Sequence, residues 1–184
     1  MRYSKTTGGF YPDDILYTNP PADLIEVSTD GYNAAMNRSG GATLDVQNGE
    51  LVIIQPTPAQ LLAQAQAAQI ALVRASCAAA ITNGFLSSAL GAPHTYPSGQ
   101  TDQANLSANV MSSMYTNLPA NWTTLQVCCD STGKWAYLPH TAVQIQQVGV
   151  DGKAAILVCL TKNAGLQAQI MAAEDVPSVQ KIVW

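Results

Sequence analysis

The sequence predicts an α+β protein with a small N-terminal β-hairpin module, an Ala-rich connecting helix, and a C-terminal helical domain that contains a β-hairpin. Three observations support this prediction. Short strand-forming runs alternate with Gly-rich turns at the start, a long Ala- and Gln-rich run follows two prolines, and the remainder alternates between helical and turn-rich patterns. We therefore divide the chain into residues 1–55, 56–84 and 85–184.

The N-terminal module is predicted to contain two hairpins. Thr6–Gly9 separates two short strand-forming runs, and Asn48–Gly49 lies between two alternating runs. Both turns contain the residues that tolerate the positive φ of tight hairpin connections. Between the hairpins, Leu24–Val27 alternates as a strand does, and Ser28 is a suitable N-cap for a short helix that extends to about Asn37.

The connecting helix is predicted from Ala59 to about Asn83. Thr57 suits the N-cap position and Pro58 the first helical position. Four residues have the 3, 4, 4 spacing of one helical stripe: Ile70, Val73, Cys77 and Ile81. A narrow stripe on an Ala-rich helix indicates close packing against another helix, either of the same chain or of a neighbouring subunit.

The C-terminal segment is predicted to contain a loop, two helices and a hairpin. Glycines and prolines indicate an irregular loop over residues 85–99, and a helix is expected from Thr101 to about Asn117. A hairpin turns at Asp130–Gly133, and a long helix covers Thr141–Ala173. Two glycines can interrupt this last helix: Gly149 and Gly152.

Charge is scarce in this protein. Apolar residues make up 47% of the chain and charged residues only 11%, with a net charge of -4. This composition excludes charge-driven disorder and gives no basic surface for nucleic acid. Four residues carry all the formal charge from position 51 to position 150: Arg74, Asp102, Asp130 and Lys134. We infer that a surface so poor in charge is partly covered by another chain.

The sequence offers little catalytic chemistry. It has two histidines, His94 and His140, which we expect to lie in loops and to bond to backbone or water, and no nucleophile elbow, HExxH pair or phosphate-binding glycine motif. A metal site formed by the two histidines with Cys128 or Cys129 is the alternative, but the spacing matches no zinc pattern. We therefore expect no enzyme, no cofactor and no metal.

The cysteines and the apolar runs of the sequence bear on the compartment of the protein and on membrane insertion. Cys77, Cys128, Cys129 and Cys159 show no CxxC spacing, which favours reduced, small hydrophobic side chains in a reducing cytoplasm. No apolar run reaches the length of a membrane-spanning helix, so we expect no membrane insertion.

An aromatic pair lies in the third hairpin. Trp135 and Tyr137 are two residues apart and therefore share one face of their strand. Burial in the core is the interpretation that we favour; if exposed, the pair could stack on a sugar or anchor a partner.

The N-terminal module resembles that of tail-fibre assembly proteins of tailed bacteriophages. The resemblance rests on Tyr3–Tyr11, Pro20–Asp23 and Ile25–Ser28, followed by the Asn48–Gly49 hairpin and the Pro-rich step Gln55–Pro58. In that family a short hairpin, a strand, a small helix and a second hairpin follow one another in this order.

The second half is similar to a phage domain of uncharacterised function that is often encoded near tail-fibre genes. The similarity lies in five segments and the last residue: Arg74–Phe85, Gly91–Pro97, Asp102–Leu106, Trp122–Thr124, Gly152–Ala155 and Trp184. Neither family has a catalytic residue to transfer to this chain. Cys128, Cys129 and the low charge of the C-terminal half depart from what is typical of dedicated fibre chaperones.

The resemblance implies a protein that assists the folding and assembly of a phage tail fibre, usually a trimer, and that can remain bound to it. The alternative is a permanent component of the virion tail fibre or baseplate, contributing to attachment to the host surface. Either protein is expected in the host bacterial cytoplasm during assembly or in the virion tail, with self-association or baseplate proteins as further partners. The residues that we assign to a partner interface are Tyr3, Phe10, Tyr11, Ile70, Val73, Cys77, Trp135 and Tyr137.

Overall fold

The computed structural model describes residues 1–184 and has an α+β architecture, as predicted from the sequence, with five helices and three antiparallel sheets. The chain forms two compact units. The first unit is Met1–Gln64 and the second unit is Ala65–Trp184.

The first unit contains the two predicted hairpins. The second hairpin turns at Asn48 and Gly49, which both have positive φ. Ser28 caps the helix as expected, because its hydroxyl oxygen accepts a hydrogen bond from the Gly31 amide at 3.0 Å. The element bounds are β1 (Arg2–Ser4), β2 (Gly9–Tyr11), β3 (Leu24–Glu26), α1 (Thr29–Met36), β4 (Thr43–Gln47) and β5 (Glu50–Ile54). The three-stranded sheet has the order β2-β1-β3, and β4 pairs with β5.

An aspartate fixes the first turn of this unit. The Asp23 carboxylate accepts hydrogen bonds from the hydroxyl of buried Ser4 at 2.6 Å and from the Thr6 amide at 2.8 Å. Because these bonds favour the charged carboxylate, they lower the pKa of Asp23 to about 2. The hairpin turn is therefore tied to the segment that precedes β3.

Helix α2 (Pro58–Thr82) begins at the predicted residue. The Thr57 hydroxyl oxygen accepts from the Gln60 amide at 3.2 Å, and the Gln60 side-chain oxygen accepts from the Thr57 amide at 2.8 Å. This reciprocal pair is a capping box, so both the cap and the proline position follow from the sequence.

The second unit contains a four-stranded antiparallel sheet. The prediction of an irregular loop over residues 85–99 is wrong, because two short strands of this sheet lie there. Strands of three residues are too short to show an alternating pattern, and pairing with the rest of the sheet stabilises them. The strands are β6 (Phe85–Ser87), β7 (His94–Tyr96), β8 (Thr123–Cys129) and β9 (Trp135–Thr141), and they lie in the sheet in this order.

Three helices complete the second unit: α3 (Gln100–Ser112), α4 (Ala142–Ala172) and α5 (Val176–Gln180). Helix α3 ends earlier than the predicted Asn117. The Ser113 hydroxyl donates to the carbonyl of Val110 at 2.6 Å where the helix ends, and Met114 is exposed. Helix α3 therefore ends before it reaches Met114.

Helix α4 runs without interruption through Gly149 and Gly152, so the interruption that these glycines suggested is absent. The two glycines allow close packing instead. A Cβ atom on Gly149 would lie 2.8 Å from the Val110 side chain, and one on Gly152 would lie 2.8 Å from the ring of Phe85. Helix α3 and strand β6 can therefore approach the backbone of α4.

The core of the second unit lies between the sheet and α4, and it includes Phe85, Tyr96, Cys128, Ile145 and Val148. The rings of Phe85 and Tyr96 stack with their centroids 5.6 Å apart. None of the helices has the length and apolar character needed to cross a lipid bilayer.

The stripe of α2 packs within the chain. Val73 and Cys77 are buried, and the Cys77 thiol lies 3.6 Å from the carbonyl oxygen of Cys159 on α4. The Gln66 amide donates to the carbonyl of Ile170 at 3.2 Å. Of the two alternatives left open by the sequence, packing on a helix of the same chain is the one observed. All four cysteines are free thiols.

Candidate partner-binding surface

One face of the four-stranded sheet packs on the core and the other faces away from it. The strand register places Cys129 opposite Trp135, and Val127 opposite Tyr137. Residues directly opposite each other share a face. Leu86 pairs with Thr95, Thr95 with Cys129, and Cys129 with Trp135, so these four residues lie in one row across the sheet. We call this the outer sheet face: Leu86, Thr95, Leu125, Val127, Cys129, Trp135, Tyr137 and Pro139.

The large side chains of the outer sheet face are exposed. Trp135 is 53% and Tyr137 71% exposed, and Leu86 and Leu125 are exposed as well. Our expectation that Trp135 and Tyr137 lie in the core is wrong. Alternation shows that the two share a face but not which face is buried, and the interior is already filled by other side chains, among them Phe85 and Tyr96. Cys129, in the row between Leu86 and Trp135, is buried, whereas Trp135, Tyr137 and Leu125 form an exposed apolar cluster on β8 and β9. Such a cluster is typical of an interaction site.

A cleft of about 280 Å³ borders the outer sheet face and is lined by Asp102, Asn105, Asn109, Gln126 and Tyr137, among other residues. The Asn109 side chain donates to the Gln126 side-chain oxygen at 2.9 Å and accepts from the Thr124 hydroxyl at 2.7 Å. These bonds fasten α3 to β8. The wall of the cleft that α3 forms is therefore polar and is joined to β8 by these bonds.

Beneath the sheet, a buried tyrosine–histidine pair holds β7 against β9. The Tyr96 hydroxyl lies 2.8 Å from Nε2 of His140, and Nδ1 of His140 lies 2.9 Å from the carbonyl oxygen of Leu138. A carbonyl only accepts, so Nδ1 carries the proton and Nε2 accepts from Tyr96. Burial lowers the pKa of His140 and raises the pKa of Tyr96, which keeps both groups neutral.

The histidines were expected in loops, but both lie in strands, His94 in β7 and His140 in β9. Nδ1 of His94 bonds to the carbonyl oxygen of Ala92 at 2.9 Å. Both ring nitrogens of His140 have protein partners. No group of three or more His, Cys, Asp and Glu side chains is arranged to hold a metal ion.

The His140 environment predicts an acid-sensitive fold. Because the pKa of His140 is lower in the folded chain than its usual value of about 6.5, the unfolded chain binds the proton more readily. We therefore expect His140 to make the free energy of unfolding fall as the pH is lowered below 6.5, by at most about 1.4 kcal/mol per pH unit, and to add no slope well above that pH. Denaturant titrations between pH 5 and pH 8 measure this slope.

The control for this prediction is the second histidine. We expect His140→Gln to remove the slope between pH 5 and pH 6.5 and His94→Gln to retain it. The aspartates whose pKa values are lowered, such as Asp23 and Asp130, lose their contribution only at lower pH, below their usual value of about 3.9. An equal slope in the His140→Gln variant would contradict the assignment.

The structure separates the residues that we assigned to a partner interface. In the first unit, the ring of Phe10 lies 5.0 Å from that of buried Tyr3, and the ring of Tyr11 lies 5.0 Å from that of Tyr17. In the second unit, Ile70 is half-buried and both Val73 and Cys77 are buried. These six side chains are wholly or largely engaged within the chain. Trp135 and Tyr137 are the two that are exposed.

Comparison of the sequence with known proteins places most of the chain in one family. The model of the domain of unknown function DUF4376 matches residues 64–183, about two thirds of the chain. The chain belongs to the DUF4376 family. No curated protein and no solved structure matches it. The DUF4376 match corresponds closely to the second unit, Ala65–Trp184, and so includes the four-stranded sheet, the outer sheet face and the packing of α2 on α4.

Sequence reasoning identified Trp135 and Tyr137 but missed the rest of the outer sheet face. Leu125 shares the face of Val127 and Cys129 on β8, and this alternation was visible in the sequence. Leu86 could not be assigned, because the sequence predicts a loop where its strand lies. The cleft also escaped prediction, since it depends on how α3 packs against β8.

Proposed function

We propose that this DUF4376 protein is a bacteriophage tail-fibre-associated protein that assists the folding and assembly of the fibre and can remain bound to it. The observation that carries the proposal is the outer sheet face, where Trp135, Tyr137 and Leu125 are exposed side by side on a regular sheet. Exposed aromatic anchors on a rigid element are typical of protein-binding hot spots.

Two features of the sequence support the choice of partner. The N-terminal module resembles fibre assembly proteins in Tyr3–Tyr11 and in the segments that follow it, and the second half resembles a tail-associated phage domain. Only four charged side chains occur from position 51 to position 150, so partner binding in this region would need little desolvation of charge. The low charge and the exposed apolar sheet face both favour a surface that binds another protein.

The edge of the sheet indicates how the partner would be held. Strand β9 is an edge strand, and it carries Pro139. Proline has no amide hydrogen to donate to an added strand, and edge prolines hinder strand pairing. We therefore place the contact on side chains of the outer sheet face rather than on strand addition along β9.

The test is binding to the tail-fibre protein encoded in the same phage genome, co-expressed with the full chain. We expect the double variant Trp135→Ala/Tyr137→Ala to bind about thirtyfold more weakly, the effect of losing at least one hot spot of about 2 kcal/mol. Tyr115→Ala is the matched control, since Tyr115 is equally exposed but lies outside the outer sheet face. Absence of any affinity between the wild-type chain and the fibre protein would refute the proposal.

The alternative, a permanent component of the tail fibre or baseplate, differs in where the protein is found. Quantitative mass spectrometry of purified particles gives the copies of this chain per fibre protein. A fixed ratio close to the copy number of the fibre favours the virion component. Absence from the particle, with abundant protein in the infected lysate, favours an assembly factor that is released.

A further inference from the structure

Helix α4 carries a second stripe, apolar except for Gln147 and Thr161, on the side that faces away from the core. The residues of this stripe are alternately four and three positions apart over four heptads. All of them are exposed, and none is charged. We call this row the α4 seam: Val143, Gln147, Val150, Ala154, Leu157, Thr161, Ala164, Ala168 and Met171.

The α4 seam lies opposite the buried face of the helix. Successive residues are rotated by about 100°, so Val150 and Leu157 point about 200° away from buried Val148 and half-buried Cys159, respectively. Val150 is 62% and Leu157 48% exposed. The core already uses one side of the helix, and an apolar stripe on the other side is not needed to fold the chain.

The middle of α4 is apolar on all sides. Residues 154–160 read AAILVCL and contain no charged or amide side chain. Within this stretch Val158 and Leu160, which flank the α4 seam, are exposed together with Leu157. Helices that are apolar all round are normally covered all round, so this part of α4 is missing a neighbour.

The spacing identifies that neighbour as a helix. A stripe that repeats every seven residues drifts by about 20° per heptad around a straight helix, and a left-handed supercoil with a second helix removes the drift. Small residues between the larger ones, such as Ala154 and Ala168, allow two helices to approach closely. Helix α4 has 31 residues and is therefore about 46 Å long, enough for a full coiled-coil seam.

We propose that the α4 seam is the self-association surface of the protein, and that its occupant is the same seam of a second copy of this chain. The seam residues carry no charge, and charged side chains such as Asp151 and Lys153 flank the row, so symmetry-related copies meet without a charge at the centre of the contact. Two copies of the chain also present stripes of the same length and the same residue spacing to each other. Self-association through α4 does not require a fibre protein, and it leaves the outer sheet face to its own partner.

The test is the oligomeric state of the full chain by sedimentation equilibrium. We expect the wild-type chain to associate reversibly and the double variant Val150→Asp/Leu157→Asp to dissociate at least about tenfold more readily, since it buries carboxylates against each other. Gln169→Asp, an exposed position of α4 outside the seam, is the control and should associate as the wild type does. A monomeric wild type, or a double variant that associates as tightly, overturns the proposal.

A second variant keeps the test independent of folding defects. Leu157 is the midpoint of the α4 seam, so it meets the Leu157 of a second copy in either a parallel or an antiparallel pair. Leu157→Cys should therefore form a disulfide-linked dimer under mild oxidation, and Gln169→Cys should not exceed the wild-type background. Equal cross-linking of the two variants overturns the proposal. Fibre-binding measurements use different residues, so the two proposals fail separately.

Discussion

Substitution of Gly84 by alanine is expected to destabilise the second unit by about 2–5 kcal/mol. Gly84 follows α2 with a φ of 97°, a conformation that costs other residues about 1–2 kcal/mol. A Cβ atom at this position would also lie 2.6 Å from the carbonyl oxygen of Tyr96. This oxygen belongs to the backbone of β7, so it cannot rotate away from the new methyl group.

Gly91→Ala separates the two causes. Gly91 has a φ of 88°, but a methyl group at this position would meet nothing within 4 Å, so the substitution carries the backbone strain alone. We expect it to cost about 1–2 kcal/mol. The three tryptophans, Trp122, Trp135 and Trp184, all lie in the second unit, and their fluorescence in a denaturant titration follows its unfolding. Equal losses for Gly84→Ala and Gly91→Ala would show that the close approach to Tyr96 is not important.

Two glycines of α4 are expected to respond to alanine in opposite directions. Gly152→Ala places a methyl group 2.8 Å from the buried ring of Phe85, and overpacking of this kind costs about 1–3 kcal/mol. Gly165 has open space around it, so Gly165→Ala should stabilise the helix by up to about 1 kcal/mol. The same fluorescence-monitored titration gives both values.

A double-mutant cycle tests the contact between Gly152 and Phe85 directly. In a Phe85→Leu background the shorter side chain leaves room for a methyl group, so Gly152→Ala should cost less than it does in the wild-type chain. Additive effects of the two substitutions would mean that the ring of Phe85 is not what excludes a side chain at position 152. Gly152→Ala is made in both backgrounds, so the helix propensity of alanine contributes equally to the two free energies and cancels from their difference.

Local signals in the sequence predicted the elements that such signals control. The Asn48–Gly49 turn, the Ser28 cap and the start of α2 at Pro58 all follow from rules that involve a few neighbouring residues, and all three are confirmed. The α+β class was predictable for the same reason, since it depends on which elements exist and not on how they pack.

Features that depend on tertiary packing were not predictable. Strand β6 has three residues and no pattern of its own, and it exists because β7 pairs with it. The glycines of α4 suggested a break, but their role is to admit Val110 and Phe85, which are distant in sequence. Trp135 and Tyr137 were identified as a pair, yet the side of the sheet on which they lie depends on what else fills the core.

The side chains of β9 point alternately to the two faces of the sheet, and this affects how the sequence of the protein can evolve. Trp135 and Tyr137 belong to the outer sheet face, whereas the residues between and beyond them, Ala136 and Leu138, face the core. The proposed binding surface and the core thus use alternate positions of the same strand. Substitutions at Trp135 and Tyr137 leave the core-facing side chains of β9 in place, so the outer sheet face can change in single steps while the core is retained.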